Sequence, residues 1–268
     1  MKIKIWKFLI MLLFPITIFT QTLNVHKNDG TVYNVDIIQI DSITFNSATK
    51  SWTSCPGTPT VSYEGQIYNT VLIGNQCWLK ENLNVGTKID GYNDDRENPQ
   101  TDNGIIEKYC YMDDPENCAK YGGLYQWFEA TKYFDLSSYD CNESYDLENV
   151  QGICPVGWHL PNENDYDILR QTASESGNAL REVGQSNNDD EETNSSGFSA
   201  LLGGRYSHQT GYSNYQSLEN SGIFLSTNID LTINCAEYTS SMSIGPDDYI
   251  GFGRHGTDMA ESVRCIKD

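Results

Sequence analysis

The sequence predicts an α+β domain that is loop-rich and disulfide-stapled, preceded by a small β unit. Three observations carry this prediction. Eight cysteines are present, all beyond residue 50, and an even number in an exported chain favours disulfides over zinc. Strand-like runs of four to eight residues are separated by Gly, Asn and Ser, while only two stretches read as helix. Hydrophobic residues make up 38% of the chain, yet it holds 17 tyrosines and five tryptophans. Aromatic side chains must therefore build much of the core.

Each element follows from local chemistry. Lys2, Lys4 and Lys7 precede the apolar run Phe8–Phe19, the parts of a secretory signal peptide, and residues 1–20 are read as one. The run is shorter than the ~20 residues of a bilayer span and contains Pro15, so no membrane span is expected after cleavage. Residues 21–47 read as the small β unit: Thr22–His26 and Thr31–Val35 alternate around the turn signal Asn28-Asp29-Gly30, and Ile40–Phe45 supplies a third strand. Ser, Thr, Pro and Gly crowd residues 48–60, which read as a linker. Residues 61–268 form the main domain. Its candidate strands are Gln66–Ile73, Gln76–Leu79, Phe198–Leu202, Ile223–Ser226, Ala236–Ser241 and Ser262–Lys267. Asn162 is placed to cap a helix from Glu163, with Asp165 in the capping-box position and Tyr166 and Leu169 on one face. Asn178–Val183 is a shorter helix candidate. The polar stretch 187–192 reads as a solvated loop. The pairs Gly122-Gly123 and Gly203-Gly204, each beside aromatic residues, read as places where backbone approaches closely.

Charge narrows the partners. With 17 Lys+Arg against 37 Asp+Glu the formal charge is -20, and loss of the leader's three lysines takes it to -23. Neither non-specific nucleic-acid binding, which needs a basic face, nor adhesion to anionic lipid suits such a chain. No G-x-S-x-G, H-E-x-x-H or phosphate loop occurs, and no catalytic residue is assigned. His26, His159, His208 and His255 are scattered without zinc spacing. Calcium is the one metal with candidate ligands, in the oxygen-rich stretches 93–98, Asp113-Asp114 and 187–192. None follows the D-x-[DN]-x-[DN]-G loop, and each reads first as solvated surface. Tyr206, Tyr212 and Tyr215 are the candidate binding residues, as loop aromatics on which a sugar ring could stack.

Five ordered segments, Tyr68–Asn84, Lys120–Trp127, Gly152–Pro161, Gly197–Arg205 and Ser262–Asp268, resemble a known family. In that order they are similar to the Fibrobacter succinogenes major paralogous domain of exported Bacteroidetes and Fibrobacteres proteins. Val25–Thr31 with Ile40–Phe45 also resembles a leader segment common on exported Bacteroidetes proteins. The resemblance implies a fold related to sulfatase-modifying-factor and C-type-lectin-like domains, and no established activity. It implies the pairings Cys154–Cys265, Cys55–Cys77, Cys110–Cys118 and Cys141–Cys235. Formylglycine-generating relatives hold copper on two reactive cysteines in the second half of the domain. Here that half contains only Cys235 and Cys265, and Cys265 belongs to the implied staple. Calcium-dependent lectins carry Glu-Pro-Asn or Gln-Pro-Asp followed by Trp-Asn-Asp, and this chain has neither. The expected function is an exported, non-enzymatic binding or surface-interaction module, secreted or in the cell envelope, with a glycan or protein ligand. A degenerate or novel enzyme of the sulfatase-modifying kind and a structural envelope protein are the alternatives.

Overall fold

The computed structural model of the chain describes residues 22–26, 31–36, 52–93, 96–185, 193–207, 215–233 and 236–268. The leader, the expected third strand at 40–45, Tyr212, Cys235 and the stretch 187–192 lie outside the described residues. The chain divides into two compact units, Met1–Thr49 and Lys50–Asp268. In the first, β1 (Thr22–His26) and β2 (Val32–Asp36) pair antiparallel with Thr22 opposite Asp36.

The second unit opens with β3 (Thr60–Tyr63), β4 (Gln66–Ile73) and β5 (Gln76–Leu79). Four two-residue strands follow: β6 (Thr87–Lys88), β7 (Tyr92–Asn93), β8 (Arg96–Glu97) and β9 (Glu107–Lys108). Next come α1 (Pro115–Tyr121), β10 (Leu124–Gln126), α2 (Trp127–Ala130), β11 (Ser144–Tyr145) and β12 (Trp158–His159). The helices α3 (Glu163–Thr172) and α4 (Gly177–Leu180) precede the strands β13 (Gly203–Tyr206), β14 (Tyr215–Leu218), β15 (Gly222–Ile233), β16 (Ala236–Ile244), β17 (Ile250–Gly256), β18 (Ala260–Ser262) and β19 (Ile266–Lys267). Two sheets dominate. One runs β10-β18-β13-β15-β16-β17, with β14 added on β13 and β11 on β15; the other runs β12-β19-β5-β4-β3.

The unit is mostly β with few helices, so the expected α+β class describes it only loosely. Among the described residues only α3 exceeds two turns. Helix ends announce themselves locally, whereas strands of two or three residues are too short to show a two-residue period. The α3 prediction holds in detail: Asn162 and Asp165 form the reciprocal capping box, and Tyr166 and Leu169 are buried. The shorter helix ends at Leu180, because Arg181 turns extended and bridges to Ala200. The expected strand Phe198–Leu202 is irregular, with Ser199 at φ 57°, and regular pairing starts at Gly203. Ser262–Lys267 splits in two: Ser262 belongs to the larger sheet and Ile266 to the smaller. The carbonyls between them accept from elsewhere, Val263 O from Leu83 N–H and Cys265 O from Leu79 N–H.

Among the described residues three disulfides have both partners, Cys55–Cys77, Cys110–Cys118 and Cys154–Cys265, three of the four pairs that the resemblance implies. Cys141 is also disulfide-bonded; its expected partner, Cys235, is outside the described residues. Residues 52–60, which composition reads as linker, are bonded into the domain. Trp52 Nε1 donates to Asn194 O at 2.9 Å, Leu72 N–H bonds Thr53 O at 2.8 Å, and Cys55 is buried. Trp127, Trp158 and Tyr125 centre one core beside the Cys154–Cys265 staple, and Trp78, Tyr166, Phe198 and Phe224 centre a second.

Candidate functional site

Tyr206 and Tyr215 do not form a binding surface, which corrects that expectation. They are cross-strand partners on β13 and β14 with rings 4.9 Å apart, exposed at only 0% and 9%. With Tyr109 they make a third small core. Their hydroxyls are spent on structure, Tyr206 donating to Gly91 O at 2.8 Å and Tyr215 to Asp113 Oδ1. A ring without exposed surface offers no face to a sugar. Tyr212 is not described. Of the calcium candidates, Asp113 also accepts Gly91 N–H, and Asp114 caps α1 by accepting Glu116 N–H. Among the described residues no group of three or more His, Cys, Asp or Glu side chains could hold a metal ion.

The motif residues Lys80, Glu81, Asn82, Asn84 and 120–122 line a cleft of about 320 Å³, where the amides of Asn82 and Asn84 brace the backbone. Asn82 Nδ2 donates to Tyr121 O at 2.8 Å, and Asn84 Nδ2 to Cys118 O at 3.0 Å. Lys108 Nζ donates to Asn84 O at 2.9 Å. These motifs mark architecture.

A second cleft, of about 350 Å³, is built differently. Its floor is β15, where the pairing with β16 slips between Leu225 and Ile229 and again between Asp230 and Ile233. Such bulges re-aim side chains beside functional sites. Here the polar run Ser226-Thr227-Asn228 occupies the first slip. Asn228 Oδ1 accepts Glu163 N–H at 2.6 Å, which ties the start of α3 to the bulge. One wall is β11, whose Ser144 pairs with Asp230 and Tyr145 with Ile229. Leu231 N–H bonds Glu143 O, and Asn142 N–H bonds Leu231 O, both at 2.9 Å, so the loop carrying the Cys141 disulfide holds this wall in register. Tyr145 is braced edge-on by Tyr139 at 4.7 Å. The opposite wall is Arg254 of β17. Its guanidinium lies 2.7 Å from Asp230 Oδ2 and 4.5 Å over the Tyr238 ring.

The electrostatics are lopsided. Burial works to raise the Asp230 carboxyl, but hydrogen bonds from Thr232 and the Arg254 charge hold it below the usual carboxylate range. Asp146 goes the other way, pushed up by burial and by the charges of Asp165 and Glu148. Arg254 is therefore neutralised by Asp230, while Asp146 and Glu163 leave the cleft negative. Glu163 and Asp165 also offset the positive end of α3. Carboxylates, a carboxamide, the hydroxyls of Ser144 and Ser240, a guanidinium and a phenol thus surround one concave space. That arrangement can hydrogen-bond a small polyhydroxylated molecule from several sides. Sequence reasoning missed it. The available signal was the run Ser226-Thr227-Asn228 between the apolar halves of one long strand.

The family model of the Fibrobacter succinogenes major domain matches residues 71–267. No curated protein and no solved structure matches the chain.

Proposed function

We propose, on the premise that the chain belongs to the Fibrobacter succinogenes major domain family, that it is an exported, non-enzymatic binding module whose ligand is a glycan held in the cleft between β11, β15 and the start of α3. The observation that carries this reading is the ring of unlike hydrogen-bonding groups, from Ser144, Asp146, Glu163, Asn228, Ser240 and Arg254, around a cleft on a bulged strand. Disulfides persist in oxidising compartments, which supports export. Among the described residues no helix is long and apolar enough to cross a membrane. The long staple from Cys154 to the end of the domain supports the lectin-like relation that the resemblance implies. The sulfatase-modifying alternative needs a pair of free thiols for a soft metal. All seven described cysteines are in disulfides, which favours binding over that chemistry.

A polysaccharide and glycan array with the oxidised protein tests the proposal, with Asp146→Ala and Arg254→Ala as probes. The expected result is a specific hit that both substitutions weaken at least tenfold without lowering the unfolding temperature. Full binding by both variants would remove this cleft as the site, and a blank array would turn the reading towards a protein partner.

A further inference from the structure

The charges around the cleft point to a narrower ligand class. Three carboxylates line it, from Asp146, Glu163 and Asp230, against the single guanidinium of Arg254, and Arg254 is committed to Asp230 at 2.7 Å. Glu163 stands at the first residue of α3, and Asp146 directly follows the β11 wall. An acidic sugar placed there would meet two carboxylates that no side-chain cation of the cleft answers. A neutral sugar would leave their charge unanswered. An ammonium group on the sugar would donate up to three charge-assisted hydrogen bonds to them.

We infer that the cleft selects amino sugars, with the ligand's ammonium between Asp146 and Glu163 and its hydroxyls on Asn228, Ser240 and Ser144. The inference rests on the glycan reading of the same site and deepens it. The carboxylates are spread around about 350 Å³ and, with the other described acids, form no group able to hold a metal ion. The neutral amide and hydroxyls beside them suit a polyhydroxylated amine better than the aliphatic stem of a lysine peptide.

The test is calorimetric titration of the oxidised protein at about pH 6 with three oligosaccharides of equal length: a glucosamine trimer, its N-acetylated counterpart and a galacturonic acid trimer. The glucosamine trimer should bind at least tenfold tighter than the acetylated one, and the acidic trimer should not bind. In Asp146→Asn/Glu163→Gln that preference should collapse to within about twofold. In Glu64→Gln/Asp102→Asn, which removes the same charge away from the cleft, it should persist. Equal loss in both double variants would mean bulk attraction to an acidic protein, and would overturn the inference. Equal or better binding of the acetylated or acidic trimer would overturn it too, while leaving the glycan reading intact. Binding of trilysine with no sugar binding would overturn both.

Discussion

Arg264 shows how much one residue can organise. It is completely buried. Its Nε and Nη2 donate to Asn82 Oδ1 at 3.0 and 2.7 Å, and its Nη1 donates to Leu79 O and Phe198 O at 3.2 and 2.6 Å. The guanidinium also lies 4.4 Å over the Phe198 ring. Burial pulls it down to about 10, so it stays charged at neutral pH, compensated by carbonyl dipoles and a π face. A lysine keeps the charge but lacks the planar fork. Arg264→Lys should therefore lose about 3 kcal/mol in urea unfolding of the oxidised protein, since several buried acceptors go unmet. An unchanged midpoint would show that the charge alone suffices. His159 offers a second test at this scale. Its Nδ1 is 2.7 Å from Asp268 Oδ1, and its Nε2 is 3.7 Å from Asp165 Oδ2. Burial opposes its charge, but the two carboxylates outweigh that and raise the imidazole above its ordinary value. A raised imidazole adds stability that is full below about pH 6.5 and fades as pH rises through the folded value. The gap in unfolding free energy between parent and His159→Gln should therefore shrink from pH 5.5 to 8.5. A gap independent of pH would count against the ion pairs.

Among the elements, close backbone approach decides where glycine is needed. Gly204 of β13 has φ 66°, and a Cβ there would sit 2.4 Å from Gln216 O on the neighbouring β14. Gly157 has φ 82° but nothing within 4 Å of that position. Gly157→Ala should cost about 1 kcal/mol, from backbone conformation alone. Gly204→Ala should cost clearly more, because the hairpin must open; equal midpoints for the two variants would contradict the packing argument. The Gly203-Gly204 pair was legible in the sequence as close approach, as were α3 with its capping box and the two strands β4 and β5. What stayed hidden depends on distant partners. Ser199 turns the chain out of an expected strand, and Tyr206 and Tyr215 look like loop aromatics until their strands pair and bury them. The candidate cleft was illegible for the same reason. Asp146, Glu163, Asn228 and Arg254 are separated along the chain and meet only once β11 and β17 have joined the sheet of β15.

For the molecule as a whole, the decisive join is where the chain passes between the two sheets. Residues 263–265 carry it from β18 to β19, and Cys265 at that crossing is bonded to Cys154, 111 residues away. Closing so long a loop in the unfolded chain removes entropy worth about 5 kcal/mol, against about 2.5 kcal/mol for a short loop such as the one closed by Cys110 and Cys118, 8 residues apart. The native surroundings sharpen the contrast. Cys154 and Cys265 are fully buried in the core with Trp127, Trp158 and Val263, so cutting the bond also loosens the contact between sheets. Cys110–Cys118 pins only the turn into α1, which Asp114 and Pro115 already define. Cys154→Ala/Cys265→Ala should therefore abolish most of the yield of folded protein, while Cys110→Ala/Cys118→Ala should retain most of it with a modest fall in unfolding temperature. Yield of oxidised, protease-resistant protein measures both. Equal losses would mean that the two loops constrain the unfolded chain alike, and that the crossing between sheets is held by packing and hydrogen bonds without help from the staple.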